Sequence, residues 1–190
     1  MHDRHKDREQ YFREQALTTS RHVIPFINSI LQVSEEISVL EIGCGEGGNL
    51  KPFLDAGCRR ITGIDISEGK ISNARKFYSS IPGGEKVEFI AADIYDSASA
   101  GKFDLVMMRD VLEHIHDQKR FLGFVKLFLD QGGVLFIGFP PWNNPFGGHQ
   151  QMCESRILSK LPWFHLLPKA MYRGILQLLG KSEARIKGLL

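Results

Sequence analysis

Apolar positions along this chain fall into short, nearly continuous runs separated by stretches in which they recur every three or four residues. Five runs of the first kind, Ile37 to Ile42, Arg60 to Ile66, Lys86 to Ala91, Phe103 to Met108 and Val134 to Phe139, have the length of strands buried on both faces. The stretches Asn49 to Ala56, Glu68 to Tyr78 and Gln118 to Leu129 carry helical periodicity. Gly57 closes the first of them, Ser67 is a good N-cap for the second, and Gly132-Gly133 leads into the fifth strand. Pro82-Gly83-Gly84 breaks the chain before the third strand. Strands alternating with helices predict an α/β fold, a doubly wound and mostly parallel sheet with helices on both faces. A ligand then belongs beyond the carboxyl ends of the strands, at the switch point beside the first one.

The ends of the chain are patterned differently. Met1 to Val33 reads as helical, with Tyr11, Phe12, Leu17, Val23, Ile24, Phe26, Ile27, Ile30 and Leu31 as its apolar set and Pro25 opening or kinking a second helix. From Ile157 to Leu190 the pattern is helical, apolar and basic. The organisation expected is a helical cap over 1–36, a core over 37–150 and a basic helical segment over 151–190.

Composition adds limits. With 190 residues, 43% hydrophobic and 24% charged, the chain can bury a real core and is not of disordered type. Its net charge of +2 is uneven: residues 151–190 hold seven basic and two acidic side chains, so residues 1–150 carry −3. No diffuse basic surface remains to suggest a nucleic-acid partner. Cys44, Cys58 and Cys153 have neither paired nor metal-type spacing, which fits a reducing cytoplasm. Met1 to Gln15 is charged where a signal peptide needs an apolar core, and no run approaches the roughly 18 residues of a membrane span.

Candidate chemistry starts at Glu41-Ile42-Gly43-Cys44-Gly45-Glu46-Gly47-Gly48, where the first strand ends in closely spaced glycines. Such a turn lets backbone N–H groups close on a ligand ahead of a helix N-terminus. Two motifs overlap in it. Gly43, Gly45 and Gly48 fit the dinucleotide pattern G-x-G-x-x-G, with Asp65 roughly 20 residues later at a strand end. Glu41, Gly43, Gly45 and Gly47 fit acidic-x-G-x-G-x-G, and from about Val39 to Phe139 the sequence resembles the class I S-adenosylmethionine-dependent methyltransferases, with a Rossmann-like sheet. Glu41 separates the two readings, because a carboxylate there opposes a pyrophosphate and suits a cation.

The resemblance implies roles residue by residue. Asp65 would hold the ribose hydroxyls of S-adenosylmethionine and Ile66 would pack on adenine. Asp93 would take the adenine amino group and Ile94 a ring nitrogen, although Asp93 can equally N-cap a short helix. Glu41 with Gly43, Cys44, Gly45 and Gly47 would hold the methionine portion, together with Arg109 and Asp110. The leading helical segment would lie across the cofactor mouth, or else simply cap the sheet edge. The family sheet also gains a closing antiparallel pair of strands, for which no pattern follows Phe139.

Candidate catalytic groups are His114 and His149. Asp110, Glu113 and His114 are spaced as one face of a helix, and His149 follows the fifth strand. They could ligate a divalent ion as in some metal-dependent O-methyltransferases, with Asp110 replacing that pattern's first Glu, or Glu113 and His114 could simply start the next helix. No metal ligand is assigned. The loop Phe139-Pro140-Pro141-Trp142 superficially resembles the Asn/Asp-Pro-Pro-aromatic signature of adenine and glutamine N-methyltransferases, but Phe139 stands where the polar residue must be. It reads instead as an acceptor pocket lined by Trp142 and Phe146, with His149 as general base. Residues 157–190 would be a lid over that pocket or lie peripherally on an anionic membrane. The expected function is methyl transfer from S-adenosylmethionine to oxygen or nitrogen of a small-molecule acceptor, lipid- or glycan-linked ones included. The alternatives are an NAD-dependent oxidoreductase and a non-catalytic cofactor-binding protein.

Overall fold

A computed structural model describes residues 7–139, 162–163 and 166–178. The chain separates into a larger unit over residues 2–139 and a smaller one over 140–190. In the larger unit five strands, β1 (Ser38–Ile42), β2 (Arg60–Asp65), β3 (Val87–Ala91), β4 (Phe103–Arg109) and β5 (Leu129–Gly138), form one sheet in the order β3-β2-β1-β4-β5. Every pairing is parallel, with Val39 opposite both Ile61 and Leu105. This is the doubly wound α/β architecture expected.

The strands are buried on both faces because alternate residues feed two separate cores. Val39, Ile61, Leu105 and Met107 face one layer, made by helices α1 (Arg8–Thr18), α2 (Ile24–Ile27), α3 (Lys51–Asp55) and α4 (Glu68–Ser79). Leu40, Ile42, Val106 and Met108 face the other, where α5 (Gln118–Val125) brings Phe121 and Val125. Ser67 caps α4, its hydroxyl accepting from Lys70 N, and Gly57 ends the turn after α3 with φ +76°.

Two elements differ from the expected pattern. The fifth strand begins at Leu129, not Val134, so Gly132-Gly133 lies inside it. The register slips between Phe103 and Leu105, and Gly132 adopts φ +78°, a bulge that lets the apolar half of the strand rejoin the sheet in phase. At the N-terminus the difference lies in the join between the two helices, since Pro25 opens the second one as expected. It sits in the first turn of α2, directly after a wide π-type turn over Thr19–Val23 that continues α1. A proline lacks the N–H that would regularise the helix at this point.

In the smaller unit α6 spans Lys169–Leu178, within the stretch expected to be helical. Among the described residues no helix is long and apolar enough to cross a membrane. The acceptor loop with Trp142, Phe146 and His149, and any closing strands after it, lie outside the described residues.

At the amino end of the sheet, Asp104 ties β1 to β4. It accepts from Ser38 N at 2.7 Å, Ser38 Oγ at 2.6 Å and Arg59 Nη2 at 2.8 Å. Burial pushes its carboxyl up, but the bonds from Ser38 and Arg59 outweigh that and bring it down to about 2. A lowered carboxyl contributes stability above its unfolded value, lost as pH falls from about 4 to about 2. Asp104→Asn should therefore cost about 1–2 kcal/mol in urea melts at pH 7, after allowance for solvent screening, with the difference from wild type vanishing near pH 2.

Candidate functional site

The glycine turn closes on its neighbour strand. Gly43 and Cys44 both donate their N–H to Ile64 O, at 2.7 and 3.1 Å, Gly45 N donates to Asp65 Oδ2 at 2.9 Å, and Gly47 N donates to Cys44 O at 2.9 Å. Gly43, Gly45 and Gly47 have φ of +72°, +56° and +80°, which glycine adopts without strain. A side chain would also clash: a Cβ on Gly43 would stand 2.4 Å from Val111 Cγ2, and one on Gly47 2.8 Å from the Phe89 ring. The expectation that these amides reach out to a ligand is corrected here. Those of Gly43, Cys44, Gly45 and Gly47 are all consumed within the protein.

Beneath the turn, Glu41 is 1% exposed. Asn49 Nδ2 donates to Glu41 Oε1 at 2.7 Å. Asn49 Oδ1 in turn accepts from Arg109 Nη1 at 2.8 Å and from the buried Thr19 hydroxyl at 2.9 Å. Two donors on one oxygen fix the orientation of that amide, which leaves its nitrogen aimed at the acid. The second carboxyl oxygen, Oε2, is buried with no hydrogen-bond partner. Burial raises Glu41 to about 8, against the lowering effect of the Asn49 bond and the Arg109 charge, with Asp65 raising it further. At neutral pH the acid is thus mostly protonated in the free protein.

Two cavities open at the carboxyl edge of the sheet, sharing Gly43, Lys70 and Asp110 in their walls. The first, about 330 Å³, is mainly apolar, with Ile64, Ile66, Ile94, Tyr95 and Phe121 beside Asp65, Asp93 and His114. Ile66 is 75% exposed, an apolar face open for a flat ligand. The second, about 340 Å³, is polar and bounded by Arg8, Tyr11, Gln15, Cys44, Gly45, Glu46, Asn49 and Arg109. The leading helix therefore lies against the glycine turn, close enough that a Cβ on Gly48 would stand 2.7 Å from Phe12 O.

The cavities gather Gly43, Cys44, Gly45, Asp65, Ile66, Asp93, Ile94, Arg109, Asp110 and His114 from the sequence-predicted site. Glu41 acts one layer behind, through Asn49. Gly47 contributes backbone, its carbonyl accepting from the buried Tyr78 hydroxyl at 2.8 Å. Cys44 is buried, and burial raises its thiol well above the ordinary value. Asp65 is already engaged by Gly45 N, by Ser67 N at 2.9 Å and by Lys70 Nζ at 3.9 Å. Asp93 N-caps a short turn, its Oδ1 accepting from Tyr95 N at 3.0 Å, while also facing the apolar cavity.

The helix-face spacing of Asp110, Glu113 and His114 does not hold. Asp110 takes a left-handed conformation, φ +55°, and Leu112–His114 form a single 3-10 turn, which separates the three side chains. Among the described residues no group of three or more His, Cys, Asp or Glu could hold a metal ion. His149 lies outside the described residues. Sequence reasoning missed Thr19, Gln15, Asn49, Lys70 and Tyr78. Only Asn49 and Lys70 carried a usable signal, as polar residues just after a glycine turn and a strand end.

The raised acid makes a pH prediction. A carboxyl whose folded value lies above its unfolded one contributes stability below the unfolded value, which is lost as pH rises through the folded one. Glu41→Gln should match wild type near pH 4 and exceed it by about 4 kcal/mol above pH 8, read from urea melts across that range.

Comparison with known proteins agrees with this arrangement. A family profile described as a methyltransferase domain matches residues 10–171. A ubiquinone biosynthesis O-methyltransferase of Aromatoleum aromaticum is 34% identical over 101 residues, 52% of this chain and 42% of that protein. An mRNA cap guanine-N(7) methyltransferase of Schizosaccharomyces pombe is 31% identical over 129 residues, 62% of this chain and 36% of its own length. The chain thus spans well under half the length of these relatives. Among solved structures, a glycopeptide N-methyltransferase bound to S-adenosylhomocysteine superposes with TM-score 0.54 at 24% identity, over 63% of this chain and 51% of the other, a likeness of fold. These matches displace the oxidoreductase alternative. A buried acid under the turn and a profile match over most of the sequence point the same way, and the chain belongs to the methyltransferase-domain family, with the class I fold whose cofactor is S-adenosylmethionine.

Proposed function

We propose that this chain binds S-adenosylmethionine across the two joined cavities and transfers its methyl group to a small-molecule acceptor. The observation that carries the reading is the pairing of an apolar cavity bearing Asp65 and Asp93 with a polar one, the two sharing Gly43, Lys70 and Asp110 in their walls. The residues fit the cofactor. Exposed Ile66 and the Asp93 carboxylate suit a purine, Asp65 suits a ribose diol, and the Glu46 and Asp110 carboxylates in the polar wall suit a cationic amino-acid portion. When bound, the cofactor supplies a methyl group activated on a sulfonium sulfur. The chain's own contribution is then chiefly alignment and exclusion of water. An acceptor that is a poorly ionised hydroxyl also needs a base, for which His114 on the apolar cavity wall and His149 are the candidates.

The relatives are named for different acceptors, one in ubiquinone biosynthesis and one an mRNA cap guanine. A net charge of −3 over residues 1–150 favours a small molecule over RNA, whose phosphates demand a basic surface. The basic stretch 151–190 supports the further reading of a lipid-linked acceptor, reached from an anionic membrane surface.

Isothermal titration with S-adenosylmethionine, S-adenosylhomocysteine and NAD tests the cofactor. Binding of the first two and not the third is expected, with Asp65→Asn weakening both by about tenfold or more. Binding of NAD alone would reject the reading. Methyl-transfer assays on phenols, amines and capped RNA then divide the acceptor classes, and transfer to capped RNA alone would overturn the small-molecule assignment.

A further inference from the structure

Lys70 is a cation in a place that gives it little support. It stands in the first turn of α4, its N–H donating to the Ser67 hydroxyl at 3.4 Å, and the positive end of a helix disfavours a cation there. Its side chain is 56% exposed. Among the described residues its one ion pair is with Asp65 Oδ2 at 3.9 Å, longer than a hydrogen bond. Asp65 already accepts from Gly45 N on Oδ2 and from Ser67 N on Oδ1, so that carboxylate is held without the lysine.

The location of the lysine is nonetheless specific. Its stem lies over the glycine turn, with Cδ 4.0 Å from the place a Cβ on Gly45 would take. Among the described residues, Lys70 and Asp110 are the charged side chains that border both cavities. Arg8 and Arg109 belong to the polar cavity alone and are turned to protein partners, Glu46 at 2.6 Å and Asn49 at 2.8 Å.

The connectivity of the cofactor says what passes this boundary. One sulfur atom joins the ribose-bearing carbon to the amino-acid chain, so with ribose at Asp65 and the amino acid in the polar cavity, sulfur crosses beside Lys70 and Asp110. That sulfur is positive in the methyl donor and neutral in the product thioether. A lysine at the crossing opposes the first and is indifferent to the second.

We propose that Lys70 is a specificity-determining residue, which sets the relative affinity for S-adenosylmethionine and S-adenosylhomocysteine by charge repulsion at the sulfur. The proposal rests on the methyltransferase reading above. Asp110 pulls the other way from the same wall, so the pair tunes the ratio without excluding the donor.

Isothermal titration of three ligands tests it: S-adenosylmethionine, S-adenosylhomocysteine, and sinefungin, in which an amine-bearing carbon replaces the methylated sulfur and keeps the positive charge. Lys70→Met should shift the ratio of dissociation constants by about fourfold in favour of S-adenosylmethionine over S-adenosylhomocysteine, and sinefungin should move with the former. Any effect of losing the Asp65 contact falls on all three ligands and cancels in the ratio. Lys70→Gln should repeat the shift, and Lys70→Arg, which keeps the charge, should hold the ratio within about twofold of wild type. An unchanged ratio in the neutral variants, an equal shift in Lys70→Arg, or sinefungin moving with S-adenosylhomocysteine would each overturn the proposal. Failure of the wild-type protein to bind either adenosyl ligand would instead remove the methyltransferase reading beneath it.

Discussion

The site depends on one side-chain amide. Asn49 stands immediately after the glycine turn and holds together the strand-end acid, the β4 arginine and the N-terminal cap. Its oxygen takes two donors, so its nitrogen has a single orientation left, toward Glu41. The acid is thereby kept buried and half satisfied without a direct ion pair. A buried carboxyl in that state is cheap while protonated and costly when ionised, unless a positive charge arrives nearby.

The closure of the glycine turn onto β2 has a second consequence. Phosphate-binding turns hold their N–H groups free, and here those of Gly43, Cys44, Gly45 and Gly47 are spent on Ile64, Asp65 and Cys44. The recognition groups left facing the cavities are side-chain acceptors, a few cations engaged with protein partners and an open apolar face. Gly48 serves another purpose: its missing Cβ lets α1 settle on the turn, and so brings Arg8, Tyr11 and Gln15 to the polar cavity.

The wide turn at Thr19 links these two features. By interrupting the regular helix ahead of Pro25 it carries a buried threonine hydroxyl to Asn49, so the position of the cap and the orientation of the amide depend on each other. Unusual helical turns of this kind are costly and recur where geometry serves a site. The left-handed Asp110, in the wall common to both cavities, is a second such place.

Much of this could be read from the chain alone, because it rests on local rules. Runs of apolar residues with period two or none, glycines at a strand end and acids at Asp65 and Asp93 specify strands, a tight turn and the edge where ligands bind. Elements that depend on partners distant in sequence could not be read this way. Gly132-Gly133 looks like a strand boundary until pairing with Phe103 and Leu105 makes it a bulge. Asp110, Glu113 and His114 look like one helix face until the left-handed residue breaks it. The alternation of residue types determined the α/β sheet and the place of its site, since burial periodicity is a property of neighbouring positions. Which amides the turn spends, how Asn49 faces and which helix walls the cavity were decided only by tertiary contacts, because hydrogen-bond satisfaction is settled between residues 20 to 60 positions apart.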